Sequence, residues 1–379
     1  MPWPSGTPKN FGAIGSGVSW FPDSRHILVS DGGAGAPDAL SLLNTTDGSR
    51  RVIYRSTGNL LEPSVSPDGR KIAYSAGATE WDVLEISVPE GRVHTMVGGG
   101  GVSWLPDWAP SGTHYLFSRR EGDWVIEDRS AAEGFSRRVT EVPQGSVGFN
   151  LYSPRRAPDG KRLLFLQGPV PARLQLTMAN VSGGPWTPLA GAGNFLYAHT
   201  WSPDGQWIAF GRAAGDKQEL VKMKPAAGET PVVLSRAAPE MVPYSMVQWS
   251  PTGDWIAYPS AEGLSLVSPD GETVRKLTAR KLLAFAFSRD GAQVYGILRN
   301  TTGEGAQWQL YSIDVKSGAE KMVAPLDLPA STDSIAGFSM HPDGKRFLTS
   351  IAKWPFDIWM LEGFDQTASK TWLDRLLRR

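Results

Sequence analysis

Apolar side chains alternate with other residues in short stretches along the whole chain, and each stretch follows a turn motif rich in Pro, Asp and Gly. A period of two, carried by β-branched and aromatic residues, is typical of β-strands rather than helices. The pattern therefore predicts one strand after each turn. The alternating positions are Ile27/Val29, Ile72/Tyr74, Tyr115/Phe117, Leu163/Phe165, Ile208/Phe210 and Ile256/Tyr258, with Val294 and Phe347 in the last two stretches.

The turn motif occurs eight times, at 20–24, 65–69, 108–112, 156–160, 201–205, 249–253, 287–291 and 340–344. In its Ser-Pro-Asp-Gly form, Pro presets φ, the Asp side chain can bond nearby main chain, and Gly suits the last position of a type I turn. Successive copies lie about 46 residues apart, the length of one four-stranded propeller blade. We therefore predict an all-β fold, a single closed β-propeller of eight four-stranded blades, with seven blades as the alternative.

Each repeat is predicted to continue with a third strand and, after a second hairpin that contains glycine, a fourth. The predicted blades lie near 15–57, 58–98, 99–141, 147–190, 195–235, 244–279, 281–324 and 334–363, in a propeller that spans 1–366. The predicted third strands are Leu40–Leu43, Val83–Val88, Val125–Glu127, Leu174–Met178, Leu220–Met223, Leu264–Val267, Leu310–Ile313 and Ile358–Leu361.

The eighth repeat has no clear fourth strand. We predict that residues 1–14, with a strand near 7–12, supply it and close the ring, because closure removes an exposed edge. The rival interpretation places a turn at Gly363 and a strand over Phe364–Leu373. The tail 367–379 is predicted to form a short amphipathic helix on the outside of the last blade, or alternatively a membrane-surface or partner-docking helix.

Charge and composition exclude several classes of protein. The chain has 379 residues, with 38 Lys and Arg against 38 Asp and Glu, so its formal net charge is zero. Nucleic-acid binders and polybasic membrane modules carry a basic excess, and neither is expected here. No apolar stretch approaches the roughly 18 residues that span a bilayer. The first residues do not resemble a signal peptide.

Metal and thiol chemistry are not expected either. The chain has no cysteine, which excludes disulfides, thiolate metal sites and Cys nucleophiles. Its five histidines include no pair spaced for a zinc site on a helix. The repeated Asp residues each belong to a separate turn, whereas calcium needs several oxygens in one place. We predict no metal and no cofactor.

The repeats resemble the PD40, or TolB-like, variety of WD40-like β-propeller over nearly the whole chain. Pro occupies seven of the eight motif positions, Gly seven and Asp six. The segment 357–364 is similar to the end of the propellers that bacterial eukaryotic-like serine/threonine kinases carry. This resemblance implies a sensor-like propeller, outside the cytoplasm by analogy and cytoplasmic if this chain is the whole gene product.

Catalytic motifs of related enzymes are missing. The chain has no Gly-rich nucleotide loop with a catalytic Lys, no His-Arg-Asp loop and no Asp-Phe-Gly, so kinase activity is not expected. A similar propeller gates the hydrolase domain of prolyl oligopeptidases. The Gly-x-Ser-x-Gly elbow of that domain is absent from this chain.

Two groups of tryptophans have different predicted roles. Those of the turn motif are predicted to wedge between adjacent blades: Trp20, Trp108, Trp201 and Trp249. The others lie in or beside the loops that join second and third strands, on one face of the predicted disc. Because exposed aromatics on a rigid face are common interface anchors, we predict a partner-binding face, with local packing as the alternative. Its residues are Trp81, Trp124, Trp308 and Trp354.

A third candidate site is the mouth of the central channel, which propellers often use for peptides or small ligands. The polar and aromatic candidates there are Glu62, Tyr152, Arg155, Tyr197, His199 and Gln248, with a solvated channel lining as the alternative. His199 and Glu62 could form an acid–base pair, but they belong to different repeats and the sequence does not define their distance.

Two functional hypotheses follow. The first is a non-catalytic, monomeric propeller that binds a protein or peptide partner or a small envelope ligand. The second is a lactonase- or lyase-like propeller enzyme, which would need a metal cage at the channel mouth. Of the eight inner-strand positions that precede the turns, only one is a carboxylate. So few oxygen ligands make a poor metal cage, which favours the first hypothesis. These positions are Ser19, Ser64, Asp107, Arg155, Thr200, Gln248, Ala286 and Ser339.

Overall fold

The computed structural model describes residues 9–11, 17–33, 36–56, 58–121, 123–140, 149–169, 174–189, 195–214, 217–236, 246–300 and 307–364. All regular structure in these ranges is β-strand and turn, which confirms the prediction of an all-β fold. In the same ranges, no helix long and apolar enough to cross a membrane is found. The chain divides into two compact units: unit 1 comprises Met1–Thr79 and Trp354–Arg379, and unit 2 comprises Glu80–Lys353.

Unit 1 contains two antiparallel sheets, β1-β2-β3-β4 and β5-β6-β31. The first sheet is one complete repeat, while the second has three strands in the described part of the chain. The strands are β1 (Val18–Trp20), β2 (His26–Gly33), β3 (Ala36–Asn44), β4 (Arg50–Ser56), β5 (Asn59–Val65), β6 (Lys71–Gly77) and β31 (Phe356–Glu362).

Unit 2 contains four separate four-stranded sheets and one eight-stranded sheet, whose halves β9–β12 and β29-β30-β7-β8 are joined by one parallel pair, Trp81 opposite Val102. Counting each half as a blade gives six blades, five of them formed by single repeats. The strands are β7 (Glu80–Ser87), β8 (Val93–Val97), β9 (Val102–Trp108), β10 (His114–Glu121), β11 (Asp123–Ser130), β12 (Ser136–Thr140), β13 (Phe149–Arg156), β14 (Arg162–Pro169), β15 (Gln175–Asn180), β16 (Thr187–Pro188), β17 (Phe195–Trp201), β18 (Ile208–Ala214), β19 (Lys217–Met223), β20 (Val232–Ser235), β21 (Gln248–Trp249), β22 (Ile256–Ser260), β23 (Gly263–Val267), β24 (Val274–Thr278), β25 (Ala284–Phe287), β26 (Gln293–Asn300), β27 (Gln307–Asp314), β28 (Glu320–Leu326), β29 (Ser334–Met340) and β30 (Arg346–Lys353).

The blades of unit 2 form a closed ring. Each inner strand contacts the next in the order β9, β13, β17, β21, β25 and β29, and β29 contacts β9 again. The alternating apolar residues predicted from the sequence fill the space between neighbouring sheets, where Phe117, Phe165 and Phe210 are fully buried. Three motif tryptophans, Trp108, Trp201 and Trp249, are buried as predicted, whereas Trp20 of unit 1 is 58% exposed.

The turn motif has the chemistry that its residues predict. At 66–69, the Asp68 carboxylate accepts hydrogen bonds from the Ser66 hydroxyl at 2.6 Å and from the Arg70 main-chain N–H at 3.0 Å. The bond from Ser66, followed by that from Arg70, lowers the pKa of Asp68 below its usual value. Gly69 closes the turn at φ +71°, a left-handed conformation that suits glycine.

The second and eighth repeats do not form separate blades. β7 pairs with β30 over its whole length, from Ser87 opposite Arg346 to Glu80 opposite Lys353. β31 pairs instead with β6. The prediction that Ile358–Leu361 is the third strand of the eighth repeat is therefore wrong. Both candidate strands alternate with the same period, so periodicity could not show which of them pairs with β30.

Closure by the N-terminus stays a prediction. Residues 1–8 and 12–16 lie outside the described residues, and the part that is described, 9–11, is not in a strand. The predicted tail helix at 367–379 also lies outside the described residues, as does the rival strand beyond Phe364.

Candidate functional site

The inner strands of unit 2 end at a single cavity of about 370 Å³. Each of the six blades contributes the residue that directly precedes its turn motif. We call this cavity the funnel and define it by those residues: Asp107, Arg155, Thr200, Gln248, Ala286 and Ser339. Around them lie the prolines of five turn motifs, at 110, 158, 203, 251 and 342, with Trp108, Trp201, Trp249, Phe287 and Met340. The funnel is therefore lined by both polar and apolar side chains.

A recurrent β-bulge shapes the inner strands just before the funnel. Leu105 and Ser153 have φ of +54° and Gly337 has φ of +76°, each three positions before the first residue of its turn motif. The strand register shifts at these points. A bulge bends its strand and re-aims the residues that follow it, here the funnel positions. Non-glycine residues rarely adopt such φ values, so this feature is maintained at an energetic cost.

Asp107 and Arg155 form an ion pair in the lining of the funnel. The Arg155 Nη1 lies 3.1 Å from Asp107 Oδ1, and the two side chains are 10% and 15% exposed. Asp107 Oδ1 also accepts a hydrogen bond from the Ser339 hydroxyl at 3.0 Å, and its Oδ2 accepts one from the Arg156 N–H at 2.8 Å. Both oxygens of the carboxylate therefore accept hydrogen bonds.

The funnel positions also connect neighbouring blades. The Ser339 hydroxyl accepts a hydrogen bond from the Trp108 main-chain N–H at 2.9 Å. The Thr200 hydroxyl accepts one from the Trp249 N–H at 3.3 Å. Together with the bond from Arg156 to Asp107, these contacts join the end of one inner strand to the next blade. The sequence singled out these positions as inner-strand ends but did not show that their side chains link blades.

Two of the predicted channel residues, Arg155 and Gln248, line the funnel. The Gln248 side-chain Nε2 donates to the Phe338 carbonyl oxygen at 3.0 Å. Tyr152 lies instead in a buried aromatic cluster, with its ring 4.8 Å from Trp124 and 5.3 Å from Trp104. The side chain of Tyr197 lies outside the described residues. Glu62 belongs to unit 1, where it is exposed with φ of +48°.

His199 is a buried imidazole with a lowered pKa. The residue is 2% exposed, and neither ring nitrogen has a hydrogen-bond partner. Burial, and after it the positive charge of Arg155, lowers the pKa of His199 to about 3. The main chain at Ser153 and Leu164 is close enough to oppose this shift slightly, without hydrogen-bond geometry. The suggested pair of His199 with Glu62 stays a prediction, because Glu62 belongs to unit 1 and His199 to unit 2.

The tryptophans predicted to form a partner-binding face are mostly buried. Trp81, Trp124 and Trp308 are 6%, 8% and 6% exposed, so the prediction that they are exposed is wrong. Trp81 packs with its ring 5.4 Å from Trp104, and the Arg299 guanidinium lies 5.3 Å from the Trp308 ring centre. Loop position in the sequence could not show that these rings turn inward. Trp354 is 48% exposed, and a partner role for it stays a prediction.

The search for metal-binding clusters covered the described ranges. Within them, no group of three or more His, Cys, Asp or Glu side chains is arranged to hold a metal ion.

No protein-family model matches the chain. A TolB homologue of Chlorobium luteolum is 32% identical over 119 residues, which are 31% of this chain and 26% of that protein. The chain thus matches about a quarter of that relative's length. A structure assigned to TolB of Agrobacterium tumefaciens superposes with a TM-score of 0.57 at 16% identity, covering 73% of this chain and 99% of the other.

A structure of the nidogen–laminin complex has a TM-score of 0.51 at 11% identity, covering 68% of this chain and 97% of the matched one. At such identities, the likeness concerns the fold alone. The repeats, the sheets and these matches agree on the architecture, a β-propeller fold similar to that of TolB.

Proposed function

We propose that this chain is a non-catalytic binding propeller and that its funnel takes an extended segment of a partner protein. The observation that carries the proposal is the convergence of six inner-strand ends on one cavity of about 370 Å³. Cavities of this size, with an apolar wall and a few convergent polar groups, are typical ligand sites. The family resemblance also implies a sensor-like role. In that role, the bound segment is the signal that the propeller detects.

The chemistry of the funnel favours a peptide over a strongly charged ligand. The charged side chains of the lining are paired, Arg155 with Asp107 and Arg156 with Asp128, so the cavity presents little net charge. The Gln248 side-chain nitrogen is bonded to Phe338, and its amide oxygen suits the N–H donors of an extended main chain. The prolines and tryptophans of the lining provide apolar contact for the flanking side chains.

The alternative of a lactonase- or lyase-like enzyme finds less support. A general base needs a free lone pair within reach of the substrate and a pKa suited to the operating pH. The Asp107 oxygens already accept bonds from Arg155, Ser339 and the Arg156 N–H. His199 is enclosed, and its pKa of about 3 makes it a weak base.

The test is a display selection of random peptides on the wild-type chain, followed by binding measurements on a funnel variant. The double change Asp107→Asn and Arg155→Gln removes both charges and keeps a polar side chain at each position. We expect it to weaken the selected peptides by about tenfold or more, because a desolvated polar contact is worth roughly 1–3 kcal/mol.

The matched control is Arg212→Gln with Glu219→Gln, which removes an ion pair on β18 and β19 whose Nη2–Oε2 distance is 2.8 Å. This control is expected to bind like wild type. Equal binding by wild type, funnel variant and control would contradict the proposal, as would a failure to select any peptide on the folded chain. If the wild-type chain hydrolysed lactone substrates and the funnel variant did not, the result would favour an enzyme instead.

A further inference from the structure

A second cavity, of about 550 Å³, lies within unit 1. Residues of the first sheet and its turns line it, together with Gly69 in the turn between β5 and β6 and Phe364, which follows β31. We call this cavity the unit 1 pocket. It shares no residue with the funnel, whose lining belongs to unit 2. Its volume is within the range of small-molecule sites, so the chemistry of its lining determines the class of ligand that fits.

Strand register brings polar and apolar lining side chains to one face of the first sheet. On β3, Asn44 lies opposite His26 of β2, and Leu42 lies opposite Arg51 of β4. Leu42 and Asn44 are two residues apart, and side chains two apart on a strand share a face. The four side chains therefore lie on the same face, where all of them line the unit 1 pocket.

The Asp23 carboxylate, which lines the pocket, is already engaged. Its Oδ2 lies 2.6 Å from the His26 Nδ1, and its Oδ1 accepts hydrogen bonds from the main-chain N–H groups of Arg25 and His26 at 2.9 and 3.0 Å. Nearby, the Asp31 carboxylate pairs with the guanidinium of Arg50, another lining residue, at 2.9 Å. Neither carboxylate is therefore left to hold a cationic ligand.

Two hydrogen-bond donors of the lining are free. The Asn44 Oδ1 accepts the Thr46 main-chain N–H at 2.8 Å, which leaves the Asn44 Nδ2 without a partner among the described residues. In the same part of the chain, the exposed Arg51 guanidinium makes no hydrogen bond or ion pair. Because these free groups are donors and one of them is a cation, the pocket favours a ligand with an anionic acceptor.

The corresponding arginine of another repeat is engaged instead. By the register of their strands, Arg275 holds the place in the sixth repeat that Arg51 holds in the first. The Arg275 guanidinium lies 4.9 Å from the ring centre of Trp255 and donates a hydrogen bond to the Val315 carbonyl oxygen. Trp255 and His26 lie at the same distance along the chain from the start of their turn motifs. The first repeat therefore has histidine in place of the ring that covers this arginine elsewhere.

Aromatic rings supply an apolar part of the unit 1 pocket. The rings of Phe21 and Phe364 meet edge to face, with their centroids 5.9 Å apart. Both rings and the Leu42 side chain are partly buried against the core of unit 1. A further flat ring can add to this pair in the offset-stacked or edge-on geometry that aromatic groups prefer.

We propose that the unit 1 pocket binds a small aromatic carboxylate. The ring of the ligand packs against Phe21, Phe364 and Leu42, and its carboxylate accepts hydrogen bonds from the Arg51 guanidinium and the Asn44 amide. Arginine and a carboxylate match as a planar, bidentate pair, which gives such a site its preference for carboxylates. A neutral aromatic ligand would leave Arg51 without a partner, and a small aliphatic acid such as acetate would leave the rings uncovered.

The test titrates naphthoate into the full chain and measures binding by calorimetry. We expect saturable binding at one site. Arg51→Gln is expected to weaken it by about tenfold or more, because hydrogen bonds to charged groups are among the stronger ones. Naphthamide keeps the ring but has no charge. It should therefore bind the wild-type chain about tenfold more weakly than naphthoate and should not distinguish wild type from Arg51→Gln.

Two control variants are expected to bind naphthoate like wild type. Arg55→Gln removes an exposed arginine of β4 that does not line the pocket. The funnel variant, Asp107→Asn with Arg155→Gln, changes only unit 2.

Three results would overturn the proposal. They are the absence of saturable binding, binding by Arg51→Gln as tight as that of wild type, and an equal loss in Arg51→Gln and Arg55→Gln, which would indicate diffuse attraction between charges. A loss in the funnel variant would also overturn it, because the ligand would then lie in the funnel. Failure of the proposed peptide site would leave a positive result intact, since the two cavities share no residue.

Discussion

Replacing Gly337 by Ala is expected to lower the free energy of unfolding by about 3 kcal/mol. Gly337 has φ of +76°, and a Cβ at this position would lie 3.3 Å from the Leu105 Cα and 3.2 Å from its Cδ2. The substitution therefore forces an L-residue into a left-handed backbone conformation. It also places the new methyl group against Leu105, where β29 meets β9. Because this contact closes the ring of unit 2, a shift in the backbone here is transmitted to the funnel.

Gly344 provides a matched control. Its φ is +74°, nearly the same as that of Gly337, but the nearest atom to an added Cβ is the Arg289 Cβ at 3.6 Å. Gly344→Ala should lower the free energy of unfolding by about 1 kcal/mol, which is the cost of the left-handed conformation alone. Urea denaturation followed by tryptophan fluorescence measures both variants. Equal losses in the two would show that β29 and β9 do not approach each other closely.

Acidification from pH 7 to pH 5 is expected to remove about 2 kcal/mol of stability through His199 alone. Its folded-state pKa of about 3 lies below the ordinary histidine pKa of 6.5. The stabilising contribution is therefore present above pH 6.5. It is lost as the pH falls, because the unfolded chain takes up a proton that the buried ring does not. The lowered pKa of Asp23, about 2, acts at more acidic pH.

The variant His199→Leu isolates this effect. Leucine has a similar volume and does not titrate, so the difference in unfolding free energy between variant and wild type should shift by about 2 kcal/mol in favour of the variant between pH 7 and pH 5. Denaturant titrations at the two pH values measure it. A difference that stays constant with pH would show that the imidazole titrates alike in the folded and unfolded chain, and hence is solvated.

Local chemistry made the turns and strands predictable. A Ser-Pro-Asp-Gly turn such as 66–69 restricts its own backbone, so its structure follows from four neighbouring residues. Strand pairing at long range is different. β7 and β31 alternate with the same period, so periodicity does not choose which of them pairs with β30. Burial also depends on packing between segments that are distant in sequence. The sequence therefore did not show that Trp81, Trp124 and Trp308 are buried.

The funnel was predictable in its positions but not in its interactions. Counting back one residue from each turn motif finds Asp107, Arg155 and Ser339, and these do meet. Their geometry depends on the preceding bulges. Glycine at position 337 is the residue type that indicates such a bulge. Leu105 and Ser153 also adopt left-handed φ, but their residue types do not indicate it. Only the folded ring imposes these conformations.

Hydrogen exchange on the wild-type chain, with and without a peptide selected for tight binding, shows whether the peptide occupies the funnel. We expect slower amide exchange at the inner-strand ends and turn motifs of unit 2, around 107–112, 155–160, 200–205, 248–253 and 339–344. Bound peptide would cover these segments together, since all of them line one cavity. Protection confined to unit 1, with unchanged exchange around the funnel, would show that the peptide binds elsewhere and that the funnel is not the binding site.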